Sequence, residues 1–117
     1  MNKRHIGQEY EQRAVDYITN MGYKIIERNF RNRMGEIDII AHDGEYLVFI
    51  EVKYRSSSKE GHPTEAVNLA KQRKITKTAL YYCAVNGISE YTPMRFDVIS
   101  ILDDDIKLYE NAFEAVM

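Results

Sequence analysis

The chain has 117 residues, 44% of them hydrophobic and 29% charged, and a net charge of −2. This composition predicts one globular domain and does not by itself indicate a nucleic-acid-binding protein. The single cysteine, Cys83, excludes an internal disulfide framework and a cysteine-based zinc cluster. Because the apolar runs are too short to cross a bilayer and none follows Lys3, Arg4 and His5, we expect no signal peptide, no membrane contact and a cytoplasmic location.

The chain begins with a helical pattern and then an extended one. Apolar residues at helical spacing predict an amphipathic helix from about His5 to Met21. A strand is expected from Tyr23 to Asn29, with Ile25 and Ile26 at its centre.

A β-hairpin is predicted next, from about Glu36 to Tyr54. Its turn is expected at Asp43-Gly44, a dipeptide that favours a two-residue loop. With those two residues as the loop, Glu36 lies opposite Glu51, and Asp38 lies diagonally from Glu51.

One face of this hairpin carries charged residues among apolar ones, where folding alone does not require them. The charged face holds Glu36, Asp38, Glu51 and Lys53 beside Ile40, Leu47 and Phe49, and the opposite face is a stripe of Ile37, Ile39, Val48, Ile50 and Val52. Neighbouring carboxylates repel, and burial increases that repulsion unless the charges are paired or bound to metal. We therefore favour a metal site at Asp38 and Glu51 over the alternative, a solvated face of an ordinary hairpin.

The second half of the chain starts with a polar segment, residues 56–63, which predicts a flexible loop. A long helix is expected from about Glu65 to Val85, with Thr64 as its N-cap. Strands over 94–102 and 106–110 follow, separated by a turn of three aspartates. The order α-β-β-β-α-β-β predicts a single α/β domain over residues 1–117, with a central mixed sheet flanked by helices.

Charge is distributed unevenly along the chain. Residues 1–35 and 53–77 each contain seven basic residues, against four and two acids, whereas residues 36–51 contain five acids and no base. The two basic blocks suit contacts with phosphate groups. Solvated helix faces explain them equally well when each block is taken alone.

The acidic hairpin supplies the groups that phosphodiester hydrolysis needs. One or two Mg²⁺ ions can neutralise the phosphate, deliver water and stabilise the leaving oxygen, and Mg²⁺ prefers oxygen ligands. Asp38 and Glu51 are candidate ligands, and Lys53 is a candidate to orient water or to stabilise developing negative charge. The three histidines show no paired zinc-ligand spacing, which disfavours a zinc hydrolase.

Asp38, followed by Glu51-Val52-Lys53 on the next strand, resembles the PD-(D/E)xK signature of the restriction-endonuclease-like superfamily, with Ile37 in place of the usual proline. A wider pattern over nearly the whole chain resembles the YraN-like family of small bacterial proteins. That pattern comprises Ile6-Gly7, Glu11, Ala14, Gly22-Tyr23, Asn29-Phe30-Arg31, Gly35-Glu36-Ile37-Asp38, Phe49-Ile50-Glu51-Val52-Lys53, Arg55, Glu65-Ala66-Val67 and Arg95-Phe96-Asp97-Val98. The opening helix and hairpin are also similar to archaeal Holliday-junction resolvases, which belong to the same superfamily.

The resemblance implies an α-β-β-β-α-β core with the acidic site at the centre of the sheet. It implies Mg²⁺ or Mn²⁺ as cofactor, Asp38 and Glu51 as metal ligands, and Glu11 as an additional ligand from the first helix. Lys53 would be the catalytic lysine. By residue type alone, Glu11 would be a solvated helix acid.

Contacts to nucleic acid are expected from four further residues. Gln72 resembles a helix position that approaches the active site or the DNA backbone in related nucleases, and Lys74 lies near it in the chain. Arg55 and Lys59, at the flexible loop, are candidates to bind phosphate.

The leading interpretation is a Mg²⁺- or Mn²⁺-dependent endonuclease that acts on DNA, branched or repair intermediates included. The alternative is a non-catalytic nucleic-acid-binding or partner-recruiting domain on a nuclease fold, whereas a purely structural protein leaves the clustered acids unexplained. The sequence leaves the oligomeric state open, and a homodimer is one candidate because relatives that cut symmetric junctions are dimers. Asp97, within an apolar strand, is expected to have a structural partner.

Overall fold

A computed structural model describes residues 3–55 and 67–117 of the chain. The elements are α1 (Lys3–Asn20), β1 (Lys24–Asn32), β2 (Gly35–Asp43), β3 (Tyr46–Arg55), α2 (Leu69–Val85), β4 (Met94–Leu102) and β5 (Asp105–Phe113). This order confirms the predicted α/β class and the α-β-β-β-α-β-β arrangement. In the described part of the chain, neither helix is long and apolar enough to cross a membrane.

The five strands form one mixed sheet in the order β1-β2-β3-β4-β5. Strands β3 and β4 are parallel, whereas the other neighbouring pairs are antiparallel. This difference follows from the connections, since short turns join antiparallel strands and the parallel pair needs a long crossover that includes α2. As the third of the five strands, β3 lies at the centre of the sheet.

The two helices cover opposite faces of the sheet. Side chains that are consecutive along β3 point to opposite faces, so they contribute to two separate cores. The core on the α1 side contains Ala14, Ile18, Ile39, Ala41, Val48, Ile50, Ile99 and Ile101. The core on the α2 side contains Ile37, Ile40, Leu47, Phe49, Ile75, Ala79, Tyr82, Phe96 and Val98. A central strand buried on both sides has the continuous apolar run that β3 shows.

The turn between β2 and β3 lies one residue later than predicted. Asp43 pairs with Tyr46, so the loop is Gly44-Glu45 rather than Asp43-Gly44. Gly44 has a φ of +60°, and a glycine at the first loop position suits a type II′ turn. Asp43 stays in the strand, where its carboxylate lies 2.9 Å from the guanidinium of Arg95. The predicted pairing of Glu36 with Glu51 is therefore wrong.

The predicted side-chain alternation of β2 also fails at one point. Ile37 packs in the α2-side core with Ile40, not in the α1-side core with Ile39. The ladder between β2 and β3 ends at Ile39, just before this point, and on the other side Asn29, between the paired residues Arg28 and Phe30 of β1, has a φ of +55°. Asn tolerates this left-handed conformation better than most residues do.

Helix α2 begins later than predicted. Asn68 is its N-cap, and the Asn68 side chain accepts a hydrogen bond of 2.9 Å from the backbone N–H of Lys71. Val67, which is buried in the core, precedes the helix, so the predicted start near Glu65 is wrong. Thr64, the predicted N-cap, and the predicted loop over 56–63 lie outside the described residues.

Candidate active site

The candidate site forms where strands β2 and β3 separate. Their ladder ends at the pair Ile39 and Ile50, beyond which β3 remains paired with β4. The backbone N–H of Val52 donates a hydrogen bond of 2.8 Å to Oδ2 of Asp38. The Asp38 carboxylate thus replaces a missing ladder bond and is held beside Glu51, the residue after Ile50.

Burial and like charge make this carboxylate pair unusual. Glu51 is 7% exposed, and Asp38 is partly buried. Burial and the negative charges of Glu51, Glu36 and Glu11 together raise the pKa of Asp38 to about 7, against the lowering effect of the hydrogen bond from Val52. Burial also raises the pKa of Glu51, against the opposing effects of Lys71 and Lys53. Such a pair is most stable with a shared proton or a bound cation.

Three of the four carboxylates in this region have cationic partners. Glu11 lies 2.9 Å from Arg28, Glu36 lies 3.2 Å from Arg31, and Glu51 lies 3.4 Å from Lys71. Among the described residues, no lysine or arginine lies within salt-bridge distance of Asp38. Asp38 is therefore the carboxylate whose charge the described structure compensates least.

A cleft of about 450 Å³ opens beside Asp38. It is lined by Gly7, Gln8, Tyr10 and Glu11 of α1, by Asn29 and Arg31 of β1, by Glu36 and Asp38 of β2, and by Val52 and Tyr54 of β3. This volume falls within the range of about 300–1,000 Å³ that is typical of small-ligand sites. The cleft gives a ligand direct access to Asp38.

Glu11 lines the cleft together with Asp38, whereas Lys53 lies beside Glu51 and outside the lining of the cleft. The Glu11 side chain lines the cleft, where its carboxylate accepts hydrogen bonds from Arg28 at 2.9 Å and Asn29 at 3.0 Å. Lys53 lies two residues after Glu51 on β3, so the two side chains share a face, and the lysine lowers the pKa of Glu51. Glu11 is therefore a fixed wall of the site, and Lys53 is a cation beside it.

Three of the four predicted nucleic-acid contacts are among the described residues, and they lie outside the lining of the cleft. Gln72 is partly buried and donates a hydrogen bond of 2.8 Å to the carbonyl of Val67, which ties down the start of α2. Lys74 is exposed on α2. Arg55 borders a separate pocket of about 70 Å³ near β5. Lys59 is outside the described residues.

Sequence reasoning missed Lys71 and the tyrosine pair of Tyr10 and Tyr54. Lys71 contacts Glu51 because α2 begins at Leu69, which turns its first turn toward β3. The two tyrosines stack with ring centroids 4.1 Å apart, although 44 positions separate Tyr10 from Tyr54 in the sequence. No local pattern signals such a contact.

The site suits a hard divalent cation through two carboxylates. Within residues 3–55 and 67–117, no group of three or more His, Cys, Asp or Glu side chains is arranged to hold a metal ion. Mg²⁺ nevertheless keeps several waters and commonly binds through one or two carboxylates plus substrate phosphates. Asp38 and Glu51, adjacent and incompletely compensated, meet that requirement.

Comparison with known proteins shows where the chain belongs. Residues 10–101 match the model of a family described as "Uncharacterised protein family UPF0102". The chain is 50% identical over 115 residues to a UPF0102 protein of Lachnoclostridium phytofermentans, with 98% of each chain covered. It is 50% identical over 113 residues to one from Thermodesulfovibrio yellowstonii, covering 97% of this chain and 99% of the relative. A relative from Persephonella marina is 46% identical over 108 residues, with 92% of each chain covered. The chain therefore belongs to the uncharacterised family UPF0102, as its YraN-like pattern predicted.

Proposed function

We propose that this protein is a metal-dependent nuclease of the restriction-endonuclease-like superfamily that hydrolyses phosphodiester bonds in DNA. The proposal is carried by the pair of Asp38 and Glu51, held side by side where β2 and β3 separate, with Asp38 open to a cleft. Two adjacent carboxylates that are buried to this extent do little to stabilise the folded state, because the repulsion between them grows with burial. A ligand that brings positive charge accounts for them.

Asp38 and Glu51 are the residues that would hold Mg²⁺ or Mn²⁺. When bound, such an ion polarises a phosphate and lowers the pKa of its water. The chain prepares the site through its own contacts, since the Val52 N–H orients Asp38, and Arg28 and Asn29 orient Glu11. Fixed groups of this kind avoid reorganisation during the reaction.

Lys53 is the proposed catalytic lysine. It is partly buried beside Glu51, where an ammonium group stabilises negative charge more strongly than it does in bulk water. Lys71 neutralises Glu51 in part from the α2 side, at 3.4 Å. The two lysines thus limit the negative charge that an approaching phosphate meets.

Arg31 supports a nucleic acid as the substrate. Its side chain is 70% exposed at the edge of the cleft, where it can contact a backbone phosphate in a salt-dependent manner. The choice of DNA rests on the resemblance to junction resolvases. The homodimer and the cytoplasmic location remain predictions.

A cleavage assay with Mg²⁺, and separately with Mn²⁺, tests the proposal on single-stranded, duplex, flap and four-way-junction DNA. We expect cutting that is lost in both Asp38→Asn and Lys53→Ala, because one removes a ligand charge and the other the nearby cation. The matched controls are Asp104→Asn and Lys107→Ala, exposed residues outside the cleft.

Cleavage that survives in both variants would point to a contaminating nuclease. Salt-dependent binding without cleavage of any substrate, unchanged by Lys53→Ala, would contradict the proposal. That result would favour the alternative, a non-catalytic nucleic-acid-binding or recruiting domain.

A further inference from the structure

The cleft beside Asp38 is walled by two aromatic rings as well as by carboxylates. Tyr10 of α1 and Tyr54 of β3 stack with an interplanar angle of 18°, and both line the cleft. Tyr54 is 45% exposed, although it follows a run of buried residues on the central strand. Since Tyr10 covers one face of the Tyr54 ring, the exposed part of Tyr54 is the part available to a ligand in the cleft.

We propose that the Tyr54 ring, stacked on Tyr10 through one face, offers its other face as a stacking platform for an unpaired nucleobase, next to the phosphate that Asp38 addresses. The substrate class is therefore single-stranded DNA, or duplex DNA with an unpaired nucleotide at the cutting position. This inference rests on the proposed function for the identity of the scissile phosphate, but the binding site that it describes can be tested without cleavage.

The chemistry of the cleft favours an unpaired base over an intact duplex. In a duplex both faces of each base are covered by neighbours, so a protein ring can stack only on a base that has left the helix. Stacking on aromatic side chains tolerates every sequence, since every base has a π face. The cleft volume of about 450 Å³ is large enough for a small ligand to enter beside the rings.

One cation of the cleft is placed to contact the strand that carries the base. The guanidinium of Arg13 lies 5.7 Å from the centroid of the Tyr10 ring but donates a hydrogen bond of 2.7 Å to the carbonyl of Asp103. Arg31 lies on the β1 wall of the same cleft. Aromatic rings combined with basic side chains are the usual means of binding single strands without sequence preference.

A purely structural role for the two rings predicts a different outcome. Helix α1 is already anchored to the sheet by Ala14 and Ile18, which are fully buried in the α1-side core. If the stacked rings served only to fasten α1 to β3, their loss would lower stability and would affect all nucleic acids alike. A loss of affinity that occurs only when the strand carries its bases therefore distinguishes base stacking from a purely structural role.

The test is a binding measurement by fluorescence anisotropy in the Asp38→Asn background with EDTA, so that the labelled strand stays intact. Asparagine retains an oxygen that can accept the Val52 N–H, and it removes one charge that repels phosphate. The probes are a single-stranded oligonucleotide, its duplex, and a single strand of the same length with abasic sites. Each is measured with Tyr54 intact and with Tyr54→Ala, Tyr54→Leu and Tyr54→Phe.

We expect Tyr54→Ala and Tyr54→Leu to weaken binding of the normal single strand by roughly 5- to 100-fold, the value of one stacked base. Binding of the duplex and of the abasic strand should hardly change, and Tyr54→Phe should retain the affinity. Tyr91→Ala is the matched control, because Tyr91 is 87% exposed and lies outside the cleft. Leucine keeps apolar contact with Tyr10 and serves if the alanine variant unfolds.

Equal losses on normal and abasic strands, or no loss on either, would overturn the platform. Cleavage by the protein with Asp38 intact is scored separately. Base-dependent binding without any cleavage would support the platform and contradict the nuclease. Asp38-dependent cleavage together with binding that is unchanged by the Tyr54 substitutions would support the nuclease and contradict the platform.

Discussion

Two aspartates, Asp97 and Asp38, occupy similar positions in the backbone and have opposite electrostatic surroundings. Each lies inside an apolar strand at an irregularity of the sheet, and each carboxylate accepts a backbone N–H from a neighbouring strand. Asn111 donates to Asp97 at 2.9 Å, and Val52 donates to Asp38 at 2.8 Å. The backbone device is therefore the same at both sites.

The partners of the two carboxylates differ. Asp97 is fully buried and accepts two hydrogen bonds of 2.9 Å from Arg95 and one of 3.0 Å from Tyr23. Asp38 has Glu51 as its neighbour. A buried carboxylate that is matched by a guanidinium holds strands together, whereas one placed beside another acid favours the arrival of a cation.

The largest expected effect on stability follows from removing the positive charge of Arg95 beside Asp97. Arg95→Met should lower the free energy of unfolding by about 3–5 kcal/mol, because it leaves a buried charge without its partner. Urea denaturation measures this change. Arg31→Met, which breaks an exposed pair with Glu36, is the control and should cost about 0–1 kcal/mol. Equal losses in the two variants would show that Asp97 does not depend on Arg95.

The second expectation is a pH dependence that originates at Asp38. Its pKa is about 7 in the folded protein and 3.8 in the reference state, so ionisation penalises the fold. Below pH 3.8 Asp38 is protonated in both the folded and the unfolded state, so it does not penalise folding. Without metal, the free energy of unfolding should fall by up to about 1.4 kcal/mol per pH unit as the pH rises from roughly 4 to 7.

Unfolding measurements from acid to mildly alkaline pH, on the wild type and on Asp38→Asn, isolate this contribution as a difference curve. The variant should be the more stable protein at alkaline pH, in contrast to Arg95→Met. Parallel curves for the two proteins would refute the assignment to Asp38.

The third expectation concerns a divalent cation. Free Mn²⁺ at 100 times its dissociation constant should stabilise the wild type by about 2.7 kcal/mol and leave Asp38→Asn unchanged. Thermal unfolding at increasing Mn²⁺ concentration measures the shift, and Asp104→Asn should respond as the wild type does. A shift that persists without Asp38 would place the cation elsewhere.

The smallest expected effect concerns the backbone at the Asp97 site. Asn111 has a φ of +52°, in the left-handed region that most side chains disfavour. Asn111→Ala should cost about 1 kcal/mol, whereas Asn111→Gly should be close to neutral because glycine adopts this conformation readily. Urea denaturation of both variants compares them, and an alanine variant as stable as the glycine variant would count against this strain.

Much of the fold and part of the site could be predicted from local patterns. Helical spacing and strand alternation indicated every element in the correct order. The acids within apolar runs marked Asp38, Glu51 and Asp97 as residues that need partners. The hairpin register was wrong by one loop residue, because Asp43 and Gly44 favour a turn in isolation and the salt bridge from Arg95 keeps Asp43 in the strand.

Periodicity, turn residues and misplaced acids are properties of neighbouring positions, so the sequence alone was sufficient for the α/β order and for the acidic hairpin. The partner of each acid depends on contacts between distant segments. Tyr23 and Asp97 meet across 74 positions, and Lys71 reaches Glu51 only once α2 packs on the sheet. Charge compensation acts through space, and for that reason only the tertiary structure distinguished a structural aspartate from one available to a ligand.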